Sequence, residues 1–233
     1  METGQVAVAT ITWARSAREE ALLRGSLTRL AAAGLPLAIA DRGTSAPFTS
    51  FLSTLDGTNV TVPQQPGLVP QVQASLALAA RAGQPFILYT ESDKEFFFEH
   101  RMQDFLRRAP AESDVGVVLA SRSARSFQSF PPVQRYTESV INDLCGDLLR
   151  VRGDYSYGPF LLNEALLPAV AALEHRLGWG WRHATFLAAH RAGLQVIHVT
   201  DDYPCPEGQQ SEDHAERVHR MRQLSQNILG LLD

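Results

Sequence analysis

Apolar and polar positions fall into alternating blocks along the chain. Val6-Ala7-Val8-Ala9-Thr10-Ile11 is a short apolar run of the kind that makes a buried strand, and from Ala17 to Ala33 the leucines Leu22, Leu23, Leu27 and Leu30 recur at helical spacing until Gly34 stops them. A short strand Leu37–Ala40, a polar turn DRGTS, a helix around Thr49–Leu55 and a third strand Asn59–Val62 follow. After the loop PQQPG, the pattern predicts a helix from about Gln71 to Ala82, a fourth strand FILYT, a helix from Phe96 to Arg108 and a fifth strand Val115–Ala120. Strands separated by helices of this length predict a largely parallel sheet covered on both faces, which binds ligands at the carboxyl ends of its strands.

The pattern changes in the second half. Ser121–Pro132, rich in arginine and serine, reads as a mobile surface loop, and Val133–Leu149 as a helix with Val140, Ile141, Leu144 and Leu148 on one face. RGDYSYGPFLLNEALLP, dense in Tyr, Gly and Pro, precedes a helix, and LGWGWRHATFLAAHRAGLQVIHVT reads as another helix feeding a last strand. The tail repeats apolar residues at Ala215, Val218, Met221, Leu224, Ile228 and Leu232, with Ser211 as its cap. With no internal repeat and no dividing linker, one domain over residues 1–233 is expected, with halves 1–120 and 121–233.

Composition narrows the function classes. Hydrophobic residues at 45% and charged residues at 20% describe an ordinary globule, and a net charge of -4 lacks the basic footprint of a nucleic-acid binder. No segment reaches the ~18 consecutive apolar residues of a membrane span, and the N-terminus lacks a basic segment leading into a cleavable apolar run, so a cytoplasmic location is expected. Cys145 and Cys205 read as free thiols.

Candidate chemistry gathers in FILYTESDKE, where an apolar run ends in Glu91, Asp93 and Glu95. Buried carboxylates are costly unless paired, hydrogen-bonded or bound to a cation. Ser92-Asp93-Lys94-Glu95 fits a helix capping box, which would use Ser92 and Glu95. Glu91 and Asp93, two residues apart, could instead converge on a hard divalent cation whose shell a diphosphate completes. The segment alone leaves both open.

Three strand-end phrases in order, VAVATITWAR, AIADRGTS and FILYTESDKEFF, resemble the nucleotide-sugar half of the GT-A, family-2-like glycosyltransferases, with Glu91-Ser92-Asp93 in the place of the D-x-D motif. GDYSYGPFLLNEALLP and GWGWRHATFLAAHRAGLQVIHV are similar to the acceptor-side half of that family. The departures are Glu91 for the first Asp of D-x-D, Arg42 for the second Asp of a DDGS-like phrase, and a missing basic or Asn-containing phrase before the fourth strand.

The resemblance implies an α/β GT-A fold and a nucleotide pocket formed by Thr10, Thr12, Arg15, Asp41 and Ser92, with Asp41 on base or ribose. Asp41 is equally an ordinary turn aspartate. The family reading places Mg²⁺ or Mn²⁺ on Glu91 and Asp93, completed by His214, with Arg217 or Arg220 near the diphosphate and the loop Asp201–Asp213 closing over it. His198 reads as a core residue, and His219 is set aside as lying well into the last helix. Tyr157, Trp179 and Trp181 are the acceptor candidates, although one Trp at least suits a core role. Asp154 or Glu164 would be the general base of an inverting transfer, whereas a retaining transfer needs none.

The expected function is a metal-dependent glycosyltransferase acting on a nucleoside-diphosphate sugar and an unknown acceptor, with a homodimer left open. The alternative is a nucleotide- or sugar-binding protein of the same fold without transfer. A nucleotidyltransferase is disfavoured, because TWARSAREE contains neither glycine nor lysine for a phosphate loop.

Overall fold

The computed structural model describes residues 1–232. The first half runs β1 (Val6–Thr12), α1 (Ala17–Ala31), β2 (Leu37–Asp41), α2 (Ala46–Leu52), β3 (Thr58–Thr61), α3 (Leu68–Ala79), β4 (Phe86–Tyr89), α4 (Glu95–His100), α5 (Met102–Arg108) and β5 (Val115–Arg122). The second runs α6 (Ala124–Gln128), α7 (Pro132–Leu149), β6 (Phe160–Asn163), α8 (Leu167–Ala171), α9 (Trp181–Arg191), β7 (Gln195–Asp201) and α10 (His214–Leu232).

One seven-stranded sheet joins the halves in the order β3-β2-β1-β4-β6-β5-β7. All neighbours are parallel except β6, which runs antiparallel between β4 and β5. Alternate residues of the central strands feed two cores. Val6, Val8, Leu37 and Ile39 pack with residues of α1, α2, α4 and α5, while Ala7, Ala9 and Ile87 pack with residues of α3, α7 and α9. Burial on both faces explains why these strands read as unbroken apolar runs.

Several expectations change. Ser121–Pro132 is ordered: β5 continues to Arg122, which is buried, and α6 follows, capped by Ser123 through its bond from Ser126 N. The helix expected over Phe96–Arg108 is two helices, because Arg101 at φ -129° breaks the helical path. β6 is a strand the pattern did not separate from its Tyr/Gly/Pro surroundings. On α7 the buried face runs Thr137, Ile141, Cys145 and Leu149, leaving Leu144 and Leu148 exposed. Neither proposed cap forms. Lys94 occupies the N-cap of α4 without a side-chain bond and Glu95 pairs with Arg29 at 2.8 Å, while Asp213, not Ser211, accepts from Glu216 N at 2.8 Å at the start of α10.

Candidate functional site

A cleft of about 690 Å³ opens beyond the carboxyl ends of β1 and β4. Arg15 and Asp93 form one wall; Gly208, Glu212, His219 and Arg220, from α10 and the loop before it, line it too. The position of α10 is set at its other end. Gly230 lies directly against the backbone of Gly180: a Cβ on Gly230 would collide with the Gly180 carbonyl, and one on Gly180 with the Gln226 carbonyl of α10. Gln226 Oε1 also accepts from Trp179 N at 3.1 Å.

Most charges on this cleft are committed. Glu212, nearly buried, accepts from the backbone N–H groups of Val133 and Gln134 at the N-terminus of α7, where a helix favours negative charge. Asp213 caps α10, Glu216 pairs with Arg220 at 2.8 Å, and Arg15 pairs with Glu19 at 3.0 Å. Asp93 differs. It is exposed and has no hydrogen bond or ion pair among the described residues, and His219 on the same cleft has none either.

Glu91 is held away from that role. Its Oε1 accepts from Arg182 Nη1 at 3.3 Å, and the same guanidinium donates through Nη2 to the carbonyls of Gly158 at 3.2 Å and Tyr155 at 3.4 Å. Gly158, at φ +135°, lies against Glu91 Oε2 in space that no Cβ could share. Glu91 Oε2 is buried and bonded to nothing. Replacing the shorter Asp by Glu thus lets the carboxyl reach an arginine on α9, and the expected metal pair is reduced to Asp93. His214 is also corrected: it lies on another face of α10, with Val218, Met221 and Arg222. Five residues separate His214 from His219, which on a helix is a rotation of roughly 140°, so only one can face the cleft.

No protein-family model and no curated protein matches the chain. Solved structures do. Glucosyl-3-phosphoglycerate synthase from Mycobacterium tuberculosis superposes with a TM-score of 0.66 at 16% identity, over 98% of this chain and 79% of that one. The same enzyme in complex with Mn²⁺, UDP-glucose and phosphoglyceric acid gives 0.62 at 15%, over 98% and 78%. A structure described only as a mycobacterial protein gives 0.65 at 15%, over 98% and 74%. The fold is GT-A.

Within this GT-A sheet, the residues expected to form the nucleotide pocket are largely enclosed. Asp41 accepts from Thr12 Oγ1 at 2.8 Å and Thr44 Oγ1 at 2.7 Å on one oxygen, and from the N–H groups of Gly43 at 3.0 Å and Thr44 at 2.9 Å on the other. Those four bonds fill a carboxylate. Asp41 therefore knots the β2 turn and has no acceptor left for base or ribose, which is the turn role and not the nucleoside role. Thr10 is fully buried with its hydroxyl unpaired, Thr12 is spent on Asp41, and Ser92 is buried. Arg15 alone of the five lines the cleft.

The proposed bases and acceptor residues are corrected in the same way. Asp154 is buried and accepts from Arg122 Nε at 2.6 Å and Nη2 at 2.9 Å, from the Arg122 and Ser156 N–H groups and from Asn142. Burial pushes its carboxyl up, but the Arg122 guanidinium outweighs this and holds it below the usual range. Glu164 is exposed beyond the end of β6, where its N–H bonds Pro85 O. Because β6 is antiparallel, that is the amino end of β4, opposite the cleft. Trp181 is fully buried, edge-on to Tyr89 at 4.7 Å, and Tyr157 is stacked on Tyr203 at 4.5 Å. Trp179, half-buried, meets α10 through its backbone.

Two residues are not picked out by sequence spacing: His219, which lines the cleft, and Arg182, which is buried and holds Glu91. His219 was set aside because helix phase cannot be read without knowing which side of α10 docks. Arg182 had a signal, standing in the first turn after GWGW, but its partner lies 91 residues away.

Proposed function

We propose that the chain is a glycosyltransferase that binds a nucleoside-diphosphate sugar in this cleft, with a divalent cation shared between Asp93 and the diphosphate. The observation that carries the reading is Asp93 itself, an unpaired carboxylate following β4 at the mouth of a GT-A sheet. The donor set fits a shared cation and not a preformed cage. No group of three or more His, Cys, Asp or Glu gathers to hold a metal among the described residues, so Asp93 oxygen and His219 nitrogen would need diphosphate oxygens to complete a shell. Mg²⁺ or Mn²⁺ there would supply Lewis-acid stabilisation of the departing diphosphate. Arg15 and Arg220, each already paired with a glutamate, add positive charge to the cleft, and residues Gly208–Asp213 form part of its wall.

Apart from Asp93, each carboxylate lining the cleft caps a helix or pairs with arginine, which leaves no ready general base. That favours a transfer that needs none, with retention at the sugar carbon. The same observation favours the second reading, donor binding without transfer. Calorimetric titration of nucleoside diphosphates with and without Mn²⁺ tests the first claim: wild type should bind only with the cation, and Asp93→Ala should lose this metal-dependent binding. Binding without metal, unchanged in Asp93→Ala, rejects the site. Release of nucleoside diphosphate from a bound donor separates transfer or hydrolysis from binding alone.

A further inference from the structure

We infer that Trp13 and Arg42 are the seat of the nucleobase and that they select guanine, an inference that rests on the nucleotide reading above. β1 and β2 end in register, with Thr12 opposite Asp41 and Arg42 N donating to Thr12 O at 3.0 Å. The next residue of each strand, Trp13 and Arg42, therefore leaves the sheet beside the other. Arg42 Cζ stands 4.4 Å from the centroid of the Trp13 ring and Arg15 Cζ 5.5 Å from it.

Three features separate this pair from an ordinary surface contact. Trp13 is 48% exposed, whereas Trp179 is half-buried and Trp181 fully buried. Arg42 is exposed and its side chain makes no hydrogen bond or ion pair among the described residues, so its five N–H donors are free. Arg15 both overlies Trp13 and lines the cleft that holds Asp93, which makes the aromatic platform contiguous with the diphosphate site. An aromatic face at the carboxyl ends of parallel strands offers stacking to any base.

The donors then discriminate. With all four acceptor positions of Asp41 filled, the strand ends present a base with donors and no free carboxylate acceptor. Guanine carries two adjacent acceptors, O6 and N7, which a planar guanidinium grips in a fork. Adenine sets a donor beside its N7, and uracil has a single acceptor on that edge. A base stacked on the exposed part of the indole, in the plane of the Arg42 guanidinium, meets that fork edge-on.

GDP, UDP and ADP, each with Mn²⁺, should be titrated calorimetrically and by tryptophan fluorescence into wild type, Arg42→Lys, Trp13→Phe and Trp13→Ala. GDP should bind about ten-fold or more tightly than the other two. Arg42→Lys, which keeps the charge and loses the fork, should erase that preference while leaving UDP affinity within about two-fold. Trp13→Ala should weaken all three, and Trp13→Phe should abolish the fluorescence change while retaining part of the affinity. Equal binding of GDP and UDP, or a preference that survives Arg42→Lys, overturns the guanine seat and leaves the nucleotide reading standing. If none of the three binds wild type, the nucleotide reading falls and this inference with it.

Discussion

Asp93 and Asp154 stand on the two halves of the chain, and both read in sequence as chemistry; the structure gives them opposite surroundings. Asp154 receives five hydrogen bonds, three of them from Arg122, one from Ser156 N–H and one from Asn142; Arg122 is itself buried, bonded to Glu138 at 2.7 Å and packed against Phe127 and Phe130. Asp93 receives none. An acid saturated by donors cannot take up a substrate proton, whereas an acid left bare at a strand end retains its full capacity for a cation. The contrast extends to Glu91, one side of which is held by Arg182 while the other is closed off by Gly158.

The largest effect that would break this contrast lies in the Arg122 cluster. Removing one partner of a buried pair leaves an uncompensated charge, so Arg122→Ala or Asp154→Ala should cost about 3–5 kcal/mol in urea unfolding. A loss under ~0.5 kcal/mol, the level of an ordinary surface change, would show that the cluster is not structural. Because the folded carboxyl of Asp154 titrates below its usual value, its contribution is present above the unfolded pKa and disappears as pH falls through the folded one.

A second, smaller effect is a pH dependence from the buried His183. Burial, with Arg182 adding to it, pushes His183 down to about 3 from an ordinary 6.5. The unfolded chain therefore takes up a proton below 6.5 that the folded chain refuses, and stability falls with pH across that window by about 1.4 kcal/mol per unit. Thermal unfolding of wild type and His183→Phe from pH 7.5 to 5 should show the slope in the first and a reduced slope in the second. Parallel curves would remove His183 from the account.

Smaller still is the expected difference between two histidines on one helix. His219→Ala should weaken Mn²⁺-dependent nucleotide affinity by about ten-fold, the low end for loss of a metal-site contact. His214→Ala should change neither affinity nor stability beyond about 0.5 kcal/mol. The reverse pattern would return the cation to the outer face of α10.

Much of the fold was legible because strands buried on both faces announce themselves as apolar runs, as in Val6–Ile11 and Phe86–Tyr89. β6 was not, since four apolar residues following SYGP look like loop punctuation until β4 and β5 are seen on either side. The strand-end order also picked out Asp93 and Arg15, which line one cleft. The roles of Glu91, Asp154 and Asp41 depended on partners that spacing does not specify: Arg182 lies 91 positions from Glu91, Arg122 lies 32 from Asp154, and Thr12 lies 29 from Asp41. Helix phase was the remaining gap, because the Gly180–Gly230 contact that orients α10 is made by residues with no side chain to signal it.

The central claim, that the bare acid serves a ligand and the saturated acid serves the fold, is tested most directly by measuring Asp93→Asn and Asp154→Asn side by side, for urea stability and for Mn²⁺-dependent nucleotide binding. Asp93→Asn should unfold within about 0.5 kcal/mol of wild type and lose the metal-dependent binding, while Asp154→Asn should be clearly destabilised. An Asp93→Asn protein that binds nucleotide and Mn²⁺ as wild type does would contradict the account.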